Sequence, residues 1–124
     1  TDAVAWSHPT GGPYNPSPLY ADGRLHVLYD RGLLSAYDAK SGRLLYDRER
    51  LPPGPGFTAS PWAAGGRVYC LNEDGTCFVV RGGDRFELLH TNSLGEDAMC
   101  MATPAIAGDR LLIRTAAELV CVKP

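Results

Sequence analysis

Short apolar segments alternate along the whole chain with breaks rich in glycine and proline. Arg24 to Tyr29 and Arg67 to Leu71 are two such segments, each carrying β-branched and aromatic residues. Asp22-Gly23, Gly65-Gly66 and Gly108-Asp109 bound them as turn signals. Segments this short, so bounded, predict β-strands, whereas a helical repeat would need longer uninterrupted 3.6-residue periodicity.

The segments recur. Ser17-Pro18, Ser60-Pro61 and Thr103-Pro104 mark three equivalent points, each 43 residues from the next. In ungapped register Ala21, Ala64 and Ala107 coincide, as do Arg24, Arg67 and Arg110. Leu25, Val68 and Leu111 share one slot, and Val27, Cys70 and Ile113 share another two residues on, on the same strand face. Gly32 and Gly75 coincide in the next turn, followed by Leu34, Cys77 and Val120. Each unit reads as four strands. Strand A starts at the Ser/Thr-Pro pair, where proline is tolerated because a first strand residue need not donate to the ladder. Strand B follows the glycine turn. Strand C follows Asp30-Arg31-Gly32 or Asn72-Glu73-Asp74-Gly75, and strand D covers 43–47 or 86–90.

A period near 43 built from four short strands is that of a β-propeller blade. The expected class is therefore all-β, with blades of four antiparallel strands and about three blades' worth in this chain, a partial propeller. Residues 1–16 read as a lone strand D (Ala3 to Trp6) and a loop, 17–59 and 60–102 as blades, and 103–124 as strands A to C of a last one. The reading totals about twelve strands by this blade arithmetic. Closed propellers have about four to eight blades. The chain is thus expected either to be the C-terminal part of a longer propeller or to self-associate, most simply as a dimer of about six blades in which each first strand completes the other copy's last blade.

One segment, Ala36-Tyr37-Asp38-Ala39-Lys40-Ser41-Gly42-Arg43-Leu44-Leu45-Tyr46, resembles the docking motif of bacterial quinoprotein-like (PQQ-like) propellers, Ala-x-Asp-x-x-Thr-Gly-x-x-x-Trp. Ala36, Asp38 and Gly42 match, while Ser41 stands for Thr and Tyr46 for Trp. The resemblance implies that the small Ala receives an aromatic ring of a neighbouring blade and that Asp and Ser or Thr hydrogen-bond around the C–D turn. The second unit departs from it, with Val79, Arg81, Asp84, Arg85 and Leu89 in those slots. The resemblance also implies an exported, periplasmic location, and pyrroloquinoline quinone with calcium as the cofactor of the family's dehydrogenases.

Charge and composition narrow the functions. Twelve basic and 14 acidic side chains leave a net charge of -2, with no electrostatic footprint for nucleic acid or anionic lipid. No apolar run approaches a membrane span. Of the four cysteines, Cys70 and Cys77 flank one hairpin. A cross-strand disulfide there competes with the favoured reading, in which Cys70, Cys77 and Cys121 fill apolar slots. No two cysteines are adjacent, so the vicinal disulfide of some quinoprotein dehydrogenases has no counterpart, nor is there zinc-type spacing. His26 occupies the slot of Tyr69 and Leu112, so packing is its expected role, and Trp62 on the innermost strand is expected at the channel wall. The B–C turns and D–A loops should emerge together. Tyr14, Asn15, Phe57, Thr58, Glu96 and Asp97, with Met99 to Met101, are the candidate loop-face binding residues. No catalytic or metal-ligating set is assigned. The reading is a non-catalytic binding or scaffold propeller for a protein, peptide or saccharide partner. The alternatives are a fragment of a quinone-dependent dehydrogenase and a structural propeller fragment that assembles as an oligomer.

Overall fold

Local turn chemistry sets the hairpins. In the first unit the Tyr29 N–H donates to Leu33 O at 2.8 Å and the Gly32 N–H to Tyr29 O at 2.9 Å. The last turn residue is then forced into the left-handed region, and Gly32 and Gly75 take it with φ +83 and +84. The computed structural model, which describes residues 2–124, contains eleven strands in three antiparallel sheets. The first sheet comprises β1 (Leu19–Ala21), β2 (Arg24–Leu28), β3 (Leu33–Asp38) and β4 (Leu44–Arg50) in that order. The second repeats it with β5 (Trp62–Ala64), β6 (Arg67–Leu71), β7 (Thr76–Arg81) and β8 (Leu88–Ser93). The third holds β9 (Ala105–Ala107), β10 (Arg110–Arg114) and β11 (Leu119–Val122). These are blades of a partial β-propeller.

Alternation along each strand gives every sheet two faces. Val68, Cys70, Phe78 and Val80 of the middle sheet pack with Leu28, Leu34, Ala36 and Tyr46 of the first, joined by Leu51 and Phe57 from the connecting loop. Tyr69, Leu71 and Cys77 point the other way, to Leu111, Ile113 and Val120 of the third sheet. Among the described residues, ten buried side chains build the first interface and four the second. A fully buried Leu or Phe is worth roughly 2 kcal/mol, so the first interface is the stronger joint.

The repeated Ser/Thr-Pro pair has a structural reason. The Ser17 N–H donates to Ser60 Oγ and the Ser60 N–H to Thr103 Oγ1, both at 2.8 Å and both across 43 residues. Each blade is thereby stitched to the next at the head of its innermost strand.

Three expectations are corrected. Ala3 to Trp6 forms no strand. A strand needs a ladder partner, and no strand of the described residues lies beside this segment. The third unit also leaves the ungapped register. Its B–C hairpin closes from the Thr115 N–H to Glu118 O, with two residues between them instead of three. Ile113 therefore pairs with Val120, as Cys70 pairs with Phe78 and Val27 with Ser35. Val120 belongs with Ser35 and Phe78, on the opposite face from Leu34 and Cys77. Finally, Trp62 stacks on Tyr69 (centroids 5.3 Å apart) and packs between the second and third sheets rather than at a channel wall.

Candidate functional site: the loop end and the aromatic dock

Antiparallel order puts the B–C turns at one end of the sheets and the A–B and C–D turns at the other. The D–A loops join the B–C turns through backbone hydrogen bonds. Phe57 N–H donates to Asp30 O, Glu73 N–H to Gly56 O, Cys100 N–H to Glu73 O and Ala116 N–H to Met99 O. The first B–C turn is tied to the N-terminal segment as well. Both oxygens of the Asp30 carboxylate accept backbone N–H groups, from Tyr14 at 2.7 Å and from Asn15 at 3.0 Å. Burial pushes the Asp30 carboxyl up, but these donors outweigh it and hold it below the ordinary value. The loop end is thus a braced surface.

The structure separates the residues expected there. Tyr14 is 92% exposed. Asn15, Glu96 and Asp97 are exposed too. Asp97 has φ +62, the left-handed region that aspartate tolerates better than most residues. Thr58 donates its hydroxyl to Glu73 Oε1 at 2.8 Å. Phe57 is corrected: it is 2% exposed, its ring lies 6.1 Å from Phe78, and it belongs to the core beneath Gly32. A Cβ on Gly32 would crowd the ring at 3.1 Å, and its φ of +83 strains any side chain there. Met99 and Met101 stand half exposed beside Glu96 and Asp97.

The C–D turn of the first blade lies at the opposite end and is a dock for aromatic rings. Asp38 Oδ1 accepts the Ser41 N–H and the Ser41 hydroxyl, both at 2.8 Å. These two bonds hold the Asp38 carboxyl below its usual range. Gly42 has φ +75, and a Cβ there would lie 2.5 Å from the Trp6 ring. Trp6 covers Gly42, donates its indole N–H to Ala39 O at 3.0 Å and stacks near Tyr37. His8 Nε2 lies 2.8 Å from Gly42 O. The resemblance assigned the neighbouring ring to Ala36. In the structure Ala36 lies beside Tyr46 in its own sheet and is buried in the core shared with the second blade, while Gly42 receives Trp6. Tyr46 reaches the second blade, with its ring 5.9 Å from Phe86. Sequence reasoning missed Trp6 and His8 in this role. The available signal was an aromatic residue near the end of each outermost segment, Trp6 and Tyr46.

The joint between the first two blades carries unusual polar atoms. His26 is fully buried with neither ring nitrogen hydrogen-bonded, and the Tyr46 hydroxyl is likewise unpartnered among the described residues. Burial, reinforced by the nearby Arg24 cation, lowers the His26 pKa to about 4. Burial also raises the Tyr46 phenol. At the opposite end Arg24 Nε donates to Asp84 Oδ1 at 2.8 Å, linking the two blades.

The cysteines are free. Cys70 pairs with Phe78 and Leu71 with Cys77, so the two thiols lie on opposite faces of the sheet and no cross-strand disulfide forms. Burial raises both thiols, Cys77 to about 12. Cys121, expected to be buried, is exposed because it lies on the face of β11 turned away from the second sheet. A quinone–calcium centre requires carboxylate and amide ligands converging from several blades. Among the described residues no three His, Cys, Asp or Glu side chains gather to hold a metal ion.

Four-stranded antiparallel sheets stacked face to face, with an Ala-x-Asp-x-x-Ser-Gly turn that seats an aromatic ring, define quinoprotein-type propeller blades. A profile of the family described as outer membrane protein assembly factor BamB matches residues 1–124, and the chain belongs to this family. The crystal structure of BamB from Moraxella catarrhalis is similar, with a TM-score of 0.65 and 18% identity over 86% of this chain and 32% of that one. A quinohemoprotein alcohol dehydrogenase, ADHIIG of Pseudomonas putida HK5, gives 0.59 and 16% identity, over 82% of this chain and 16% of its own. The computationally designed Ika4 protein gives 0.60 and 11%, covering 94% of this chain and 95% of that one. These likenesses establish the fold. The chain spans about a third of the BamB chain it matches. No curated protein sequence matches it.

Proposed function

We propose that this chain is a non-catalytic binding or scaffold part of a propeller, and that its loop end is the surface a protein partner meets. The observation that carries this reading is the loop end itself. Its backbone is braced by hydrogen bonds between successive turns, while Tyr14, Met99, Met101, Glu96 and Asp97 stand out from it. Exposed apolar and charged side chains on a rigid frame are the ordinary makings of a recognition surface. Membership of a family described by outer-membrane assembly supports a protein partner and a place in the cell envelope, on the periplasmic side. No helix among the described residues is long and apolar enough to cross a membrane. A pull-down from envelope extract, comparing the parent with Glu96→Gln/Asp97→Asn, tests the reading. Equal recovery of every captured protein by both would count against it.

Self-association is a second reading, favoured by the outward face of the third sheet. Leu28, Leu34 and Ala36 are wholly buried between the first two blades. By strand pairing their counterparts in the third sheet are Arg114, Leu119 and Cys121, all exposed, with Leu119 at 67%. A further blade or a second copy would cover this face. Light scattering that finds a folded monomer at micromolar concentration would remove the second copy.

A further inference from the structure

At the loop end, between the second and third blades, lies an open apolar groove of about 560 Å³. Its apolar lining includes Met99, Met101, Ala98 and Ala116. The two methionines are about half exposed, at 50% and 46%. Glu73, Asp74 and Asp97 complete the lining, and an adjoining hollow of about 480 Å³ shares Asp74 and Asp97 and adds Glu96. Neither lining contains a lysine or arginine. The ion pairs among the described residues use Asp84, Glu87 and Asp109, so these four carboxylates have no cationic partner there.

We propose that this groove binds a basic, apolar-bearing polypeptide segment of the partner, a proposal that rests on the loop-end reading above. Charge complementarity selects the occupant. An acidic segment would meet four uncompensated carboxylates, and like-charge juxtaposition at an interface is costly. A segment with lysine or arginine between apolar residues satisfies both surfaces. Its cations meet the carboxylate rim, and its apolar side chains meet thioethers whose flexible stems adapt to varied shapes. Asp97 helps to shape the rim, because its left-handed backbone turns the loop directly before Ala98 enters the buried layer. The A–B and C–D turns at the opposite end provide an internal control, with Glu87 held by Arg81 at 2.6 Å.

The test is fluorescence anisotropy of the chain with three short labelled peptides: one of Lys, Leu and Ser, one with Glu in place of Lys, and one with Ser in place of Leu. The ¹H–¹⁵N spectrum of the chain maps where each peptide binds. The Lys–Leu peptide is expected to bind best, to shift the amides of residues 96–101, and to weaken steeply with added salt. Asp74→Asn/Asp97→Asn and Met99→Ser/Met101→Ser should each weaken it about tenfold, while Glu87→Gln leaves it unchanged. Equal binding of the Lys and Glu peptides, or equal loss on Glu87→Gln, overturns the proposal. Binding mapped to Tyr14 and Asn15 overturns the groove but leaves the loop-end reading standing. No loop-end shift with any of the peptides and no loop-dependent partner in the pull-down would defeat both.

Discussion

Acid should open the joint between the first two blades through His26. Its imidazole is fully buried and unpartnered, and its pKa in the folded chain is about 4 against an ordinary 6.5. The unfolded chain therefore takes up a proton that the folded chain refuses. The stability associated with neutral His26 is complete above pH 6.5 and is lost progressively as the pH falls to about 4, below which this residue takes no more. Between pH 7.5 and 4.5 the loss amounts to about 2.5 kcal/mol, at about 1.4 kcal/mol per pH unit. That is a large share of the roughly 5–15 kcal/mol that holds a typical domain folded. Asp30 and Asp38, both held below the ordinary carboxylate value of 3.8, stay ionised throughout this window and do not confuse the reading. The informative variant is His26→Leu, because Leu112 already occupies the equivalent slot of the third blade. It removes two unpartnered nitrogens at little change in bulk, so at pH 7.5 its stability should lie within about 1 kcal/mol of the parent or above it. Urea unfolding followed by tryptophan fluorescence, run on both proteins at both pH values, gives the comparison. The parent should lose about 2.5 kcal/mol more than the variant on acidification. Equal losses in the two proteins would refute the reasoning.

Three further outcomes follow from the packing. Gly42→Ala places a methyl group against the Trp6 ring at a positive φ, and should cost about 1–3 kcal/mol and shift Trp6 emission towards that of exposed indole. Phe57→Ala empties a buried aromatic site between the first two blades and should cost about 3–5 kcal/mol in urea unfolding, whereas truncation of a true surface residue would cost little. Arg24→Ala with Asp84→Ala, measured as a double-mutant cycle, should give a coupling of about 0.2–1 kcal/mol that fades with salt, because Asp84 is mostly exposed.

Much of this architecture was legible in the residues, because it rests on short-range chemistry. Gly32 and Gly75 mark turns whose last residue must be left-handed, and Asp38 to Gly42 spell out a turn whose bonds span at most a few residues. The spacing of Ser17, Ser60 and Thr103 also had meaning before their bonds were seen, since identical blades stacked side by side must place identical groups at one repeat. The candidate site was less legible. Phe57 and Tyr14 are both aromatic residues in loops, yet one is core and the other solvent-facing. Only the fold over Phe57, with Gly32 above it and Phe78 beside it, distinguishes them.

The sequence alone determined the repeat, the strands and the turn that seats an aromatic ring, because periodicity and turn preference are properties of neighbouring residues. Tertiary structure decided which surfaces met. It shifted Val120 by one position through a hairpin one residue shorter, set Cys70 and Cys77 back to back across a sheet, and brought Trp6 onto Gly42 from 36 residues away. It also placed Met99 and Met101 beside carboxylates from two loops that have no cationic partner among the described residues. Such contacts depend on hydrogen-bond closure and on the stacking of whole sheets, which no local pattern of residues encodes.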